Sequence, residues 1–245
     1  MSRIVVRVVL ITVLALPSAY LIEVPGYTFD VLGKSNDKSL IKINDQDGQS
    51  DESNGKILLL TVLSGGGSIS YTPTFRVLPA LVRKNQAVIP SEVVYPPAYG
   101  EDQSKNMKIK EMHTAQDSAK AAVVKYIKNK LGEEYTDKVE TQIDDVGGPS
   151  AGLAFALGIL QKSGKYNLTR GNTVAVTGTI DENGVVGPIG GVNLKMKAAV
   201  GAGASVFILP EKNYQELDKN QVPENVRIIH VNSLDGAVNA LLELK

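Results

Sequence analysis

The sequence predicts an α+β fold, a mixed sheet with packed helices, preceded by one transmembrane helix. Three observations lead there. From Thr114 onward, runs with helical and strand periodicity follow one another. An Asn183-Gly184 pair between two strand-like runs reads as a hairpin, which a purely parallel sheet would not contain. Residues 4–22 are almost wholly apolar, enough for a bilayer span of about 20 residues.

Residues 1–33 read as the anchor and its juxtamembrane segment. Arg3 and Arg7 stand at its start, and Arg7 is near enough to the end to snorkel to the interface. Glu23 and Asp30 follow it. The positive-inside rule then puts the N-terminus in the cytoplasm and the body outside, in a single-pass protein of the cell membrane. A cleaved signal peptide is the rival reading. Pro17, two positions before Ala19, spoils its small-residue cleavage pattern, which favours an uncleaved anchor.

Residues 34–55 are polar and rich in turn formers, as in a linker. Residues 56–113 form the N-terminal part of the ectodomain. There, 56–63 (KILLLTVL) reads as a buried strand, SGGGS follows it, and 95–107 reads as a loop. Residues 114–245 form the main domain. Ala115, Ala119, Ala122, Val123, Tyr126, Ile127 and Leu131 recur at three- and four-residue steps, one face of an amphipathic helix. A strand over 139–143 precedes the break Gly147-Gly148-Pro149, and 150–161 is apolar enough to be a buried helix. A strand over 173–180, the turn 181–184 and a return over 185–189 make the hairpin. Gly190-Gly191 opens a helix over 192–202. A strand (206–209), a helix (212–217), a strand (227–231) and a last helix (233–244) complete the chain.

Composition narrows the function. Of 245 residues, 43% are hydrophobic and 21% charged, which excludes a wholly disordered or polytopic membrane chain. The 26 basic residues balance 26 acidic ones, so nucleic acid is not an expected partner. No cysteine is present, which excludes disulfides, a thiolate nucleophile and thiolate metal sites. His113 and His230 are too far apart for ligand spacing, and neither has a context for a catalytic triad. No metal and no cofactor are expected.

The chemistry is concentrated in GGPSAGLAFALGIL. Gly147 and Gly148 let the backbone turn sharply against a substrate, and Pro149 fixes the turn. Ser150 then opens a buried helix, whose N-terminal N–H groups and positive dipole end would stabilise an oxyanion. Serine is also a common helix cap, so the position by itself does not make it a nucleophile. With histidine missing nearby, its base would be a lysine kept neutral by burial and by a helix N-terminus. Lys195 and Lys197, both in the helix after Gly190-Gly191, qualify, and spacing alone does not separate them.

GGPSAG (147–152), TGTID (177–181) and GVVGPIGGVNLKMKAA (184–199) resemble the proteolytic domain of the Lon proteases. The helix containing QDSAKAA (116–122) is similar as well. The resemblance implies a serine endopeptidase with Ser150 as nucleophile. Its general base would be the lysine four positions beyond the second glycine of PIGG, Lys195 rather than Lys197. It also implies a helper role for Thr177 and a supporting loop of Gly147, Gly148, Pro149 and Ala151. The partners would be polypeptide substrates, exported or unfolded, with room for a homo-oligomer.

The departures carry information too. No GxxxxGK[ST] phosphate loop occurs, so the activity is expected to be independent of ATP. Where the family has an aspartate three positions before its serine, this chain has Gly147, with Asp144 and Asp145 further upstream. The GGPSAG form behind an N-terminal anchor resembles bacterial membrane-anchored PDZ–Lon proteins. Residues 132–138 leave no space for a PDZ domain in the corresponding position. Two other readings compete: a non-catalytic exported scaffold that retains the fold, and a nucleotide loop at 184–191. The glycines of the latter do not match GxGxxG.

Overall fold

In chain order, strand β1 (Tyr20–Asp30) is followed by the short strand β2 (Ile41–Ile43) and the leucine-rich strand β3 (Lys56–Gly65). Helix α1 (Thr74–Ala80), strand β4 (Ala87–Pro90) and the long helix α2 (Glu101–Leu131) come next. Strand β5 (Val139–Thr141) precedes a 3-10 turn, Pro149–Ala151, which continues into helix α3 (Gly152–Lys162). Strands β6 (Thr173–Val176), β7 (Thr179–Ile180) and β8 (Val186–Gly187) lead to helix α4 (Val192–Gly201). Strands β9 (Val206–Pro210) and β10 (Arg227–Val231) and helix α5 (Leu234–Leu242) close the chain. This computed structural model describes residues 17–35, 38–44, 55–65, 72–96, 101–141, 143 and 146–244.

One six-stranded mixed sheet, in the order β10-β9-β6-β3-β1-β4, organises these elements. Strands β3, β6, β9 and β10 pair in parallel, while β1 runs antiparallel to both β3 and β4. Parallel strands are covered on both faces, which is why 57–60 (ILLL) and 206–209 (VFIL) are continuous apolar runs rather than alternating ones. Alternate residues serve opposite faces. Ile57, Leu59, Val174, Val176 and Ile208 face the larger core with α3, whereas Leu58, Leu60, Ala175, Phe207 and Leu209 face α4. Helices α2 and α5 pack on α3 from its other side, so residues 152–160 are all buried and the helix is apolar all round.

The structure corrects several expectations. Residues 17–22 of the apolar run over 4–22 are not helical. Pro17–Ser18 pairs with Thr72–Pro73, and Tyr20–Ile22 belong to β1, where Leu21 is buried opposite Ile89. Pro17 lacks the N–H that a helix interior needs, and the residues after it find strand partners instead. The earlier part of that run, residues 4–16, lies outside the described residues. Among the described residues, no helix is long and apolar enough to cross a membrane. Part of the expected linker is integral too: β2 pairs with β5, and Leu40 and Ile41 are buried. Residues 45–54 lie outside the described set.

Helix α2 begins at Glu101, not near Thr114, and takes in much of the expected loop over 95–107. Its inward positions there are Ser104 and Lys108, so no apolar period announces the turns before Met112. The segment expected as a helix over 212–217 is a 3-10 stretch, Glu211–Glu216. The hairpin does form, with Thr179 opposite Gly187 and Ile180 opposite Val186. Its turn places only Gly184 at positive φ (+80°), and the Asp181 carboxylate accepts the N–H groups of Asn183 and Val185. The chain thus turns through an Asx-capped loop rather than a two-residue Asn-Gly one.

Candidate active site

The serine turn is seated by two glycines. Gly147 runs so close to α2 that a Cβ there would lie 2.7 Å from Lys108 Cβ. Gly148 adopts φ +92°, which disfavours any side chain, and donates its N–H to Lys108 O at 2.8 Å. Pro149 then enters the 3-10 turn and Ser150 follows. The end of β6 fastens this turn from the other side. Gly178 N–H donates to Ser150 O at 2.9 Å, and Leu153 N–H donates to Gly178 O at 3.0 Å.

Gly191, at φ +68°, starts α4. One turn later Lys195 N–H donates to Gly191 O at 2.9 Å, and the side chain runs inward, 3% exposed. Lys195 Nζ donates to Ser150 Oγ at 2.8 Å and to Thr177 Oγ1 at 3.2 Å. Thr177, fully buried just beyond β6, donates its hydroxyl to Ser150 O at 3.4 Å. Three separate elements therefore bring Ser150, Thr177 and Lys195 into one hydrogen-bonded group.

Burial pushes the Lys195 ammonium down from 10.5 to about 8, against the opposing pull of the Glu23 carboxylate. Lys197 is also lowered by partial burial, with Asp218 acting to raise it and Lys84 to lower it, but it is partly exposed and does not line the cleft. His113 is exposed on α2, and His230 on β10 contacts Glu211 and stacks on Tyr214 at 4.2 Å. Neither histidine lines the cleft. Asp144 and Asp145 lie outside the described residues.

The Ser150–Lys195 group opens into a cleft of about 1120 Å³, walled by β1, β3, the first half of α2 and the 147–151 loop. Gly147, Gly148, Pro149 and Ala151 all line it. Reading the sequence missed three charged lining residues: Glu23, Lys108 and Glu111. Glu23 accepts a 3.0 Å hydrogen bond from Ser64 Oγ across the β1–β3 ladder. Burial lowers the Lys108 ammonium, while Glu23 and Glu111 act to raise it. Only sheet pairing brings Glu23 to the site, and no local sequence signal marks it.

The buried helix headed by Ser150 and the buried Lys195 bonded to it both lie in a stretch that matches one class of known domain, a proteolytic domain. Residues 112–243 match the Lon protease (S16) C-terminal proteolytic domain, and the chain belongs to that family. It is 42% identical over 97 residues to Lon protease 2 of Bacillus subtilis, covering 40% of this chain and 17% of that protein. It is 37% identical over 98 residues to the Lon protease of Trichlorobacter lovleyi, 39% of this chain and 12% of that one. The archaeal Lon protease of Thermoplasma acidophilum is 32% identical over 136 residues, 51% of this chain and 20% of the relative. The chain thus spans a fifth or less of the length of these relatives.

Proposed function

We propose that this chain is a membrane-anchored serine endopeptidase that works without ATP, with Ser150 as nucleophile and Lys195 as general base. One observation supports the pairing above all others: a 3%-exposed lysine lies 2.8 Å from Ser150 Oγ. In its neutral form Lys195 Nζ takes the hydroxyl proton as Ser150 Oγ bonds to the scissile carbonyl carbon. It then gives that proton to the leaving amine, and a water repeats the sequence on the acyl-enzyme. Thr177 Oγ1 holds the amine in line. The Ser150 N–H, in the first turn of its 3-10 helix, has no acceptor within that helix and would donate to the oxyanion.

The open cleft suits an extended, unfolded segment of polypeptide, exported chains among them. Independence from ATP is proposed for this stretch of chain, which carries no phosphate-loop motif of its own. Membrane attachment rests on the apolar residues 4–16, a run shorter than the about 20 residues of a full helical span, and an extracytoplasmic body is proposed from Arg3 and Arg7 near its start and the acidic residues after it. Digestion of an unfolded protein by the full chain, with no nucleotide added, tests the reading. Ser150→Ala and Lys195→Ala should each abolish fragments while Lys197→Ala retains most of the activity. Loss in Lys197→Ala with activity kept in Lys195→Ala would refute the assignment.

A further inference from the structure

An apolar face lies on the surface away from the catalytic group. Phe75, Leu78, Leu81 and Val82 are all more than half exposed, Val82 at 83%, while Val77 and Ala80 turn the opposite side of α1 into the body. The spacing of the exposed residues puts them on one side of the helix and its following turn. Around them stand three exposed cations, Arg76, Arg83 and Lys84, the last also interacting with the Asp218 carboxylate, against one acid in residues 72–96, Glu92. An amphipathic surface with an apolar face and a basic rim is the chemistry that rests in a lipid interface.

The connectivity says what covers it. The start and the end of the α1–β4 hairpin both bond to the residues where the apolar N-terminal run enters the fold. Pro17–Ser18 pairs with Thr72–Pro73, with Ser18 Oγ donating to Thr72 O at 2.6 Å. At the other end, Ser91 N–H donates to Ala19 O at 2.8 Å. Tyr20, the next residue, is exposed and aromatic, a residue type favoured at the bilayer interface. The hairpin is thus hydrogen-bonded to the residues that directly follow the apolar run in sequence. We infer that the α1–β4 hairpin lies on an anionic lipid bilayer, with Phe75, Leu78, Leu81 and Val82 in the interface and Arg76, Arg83 and Lys84 at the headgroups. This rests on the proposed membrane attachment. Val93, just past β4, is itself exposed and lines the cleft, so the docked hairpin holds the cleft beside the bilayer.

The chain contains no cysteine, so single labels can be placed without background. Leu78→Cys, Val82→Cys and, on the far sheet edge, Arg227→Cys would each carry an environment-sensitive fluorophore. The full chain is reconstituted in phosphatidylglycerol–phosphatidylcholine vesicles containing a lipid-borne quencher. The labels at 78 and 82 should shift to the blue and be quenched, while the label at 227 stays water-like. If the chain floats with the vesicles but labels 78 and 82 remain aqueous, this inference fails and the anchor stands. If the chain does not float at all, the anchor fails and the inference with it. Blue-shifted labels without lipid quenching, coupled between chains or appearing only with added unfolded polypeptide, would assign the face to a second copy or to substrate and overturn the inference.

Discussion

Lys195→Met removes the buried ammonium while keeping most of the side chain's apolar stem. In the native chain, burial lowers this group from 10.5 to about 8, so the folded state resists a proton that the unfolded chain accepts. The sign follows. Between those two pH values the unfolded state binds the extra proton, and stability rises with pH. As pH falls through the same interval, each unit costs about 1.4 kcal/mol, about 3 kcal/mol altogether, and below about 8 the loss levels off. Methionine carries no such penalty. The Thr177 hydroxyl keeps its bond to Ser150 O, so no buried donor is abandoned there. The stability difference, Lys195→Met minus native, should therefore be largest below pH 8 and shrink by about 3 kcal/mol on the way to pH 10.5. Constant packing differences between the two side chains drop out of that change. Urea titrations read by pulse proteolysis, across pH 6 to 11 on the full chain in nanodiscs, measure it. A difference independent of pH would refute the claim that Lys195 is a cation strained by burial.

The same ionisation should govern catalysis: kcat/KM rises with pH through a single step near 8 and falls about tenfold per unit below it, since only neutral Lys195 accepts a proton. An acid limb near the free aspartate value of about 3.9 would point to a carboxylate base instead. Thr177→Val should lower kcat about tenfold with the fold intact, the loss of one hydrogen bond to the amine, and Thr177→Ser should restore it, as peptide hydrolysis would show. Gly152→Ala should destabilise the chain by about 1–3 kcal/mol in chemical denaturation, because its Cβ would lie 2.8 Å from Ile180 Cγ2.

Family resemblance rather than spacing put Ser150, Thr177 and Lys195 forward together, and the structure brings the three within hydrogen-bond reach. Ser150, Thr177 and Lys195 are distant in sequence, yet each sits at a junction marked by glycine, and those junctions survive as the turns that bring them together. The strands at 57–60 and 206–209 were legible as continuous apolar runs covered on both faces. The main sheet, however, is mixed because of β1 and β4, not because of the β7–β8 hairpin, which forms a sheet of its own. The N-terminal boundary was not legible. A buried strand and the end of a bilayer span both read as apolar, and only the pairing of Leu21 with Ile89 separates them. The first half of α2 was hidden because polar residues occupy its inward positions, and that same polarity lines the cleft with Lys108. Glu23 was invisible as a site residue, for its place beside Lys195 is made by strand order, which local patterns do not encode.

The proposed dyad makes a direct chemical prediction. Intact-mass and peptide-mapping spectrometry of the full chain reacted with an activated acyl ester should find one acyl group, on the peptide holding Ser150. Its rate of formation should rise with pH through about 8 and be lost in Lys195→Ala. An adduct on another residue, or acylation of Ser150 at an unchanged rate without Lys195, would contradict the account.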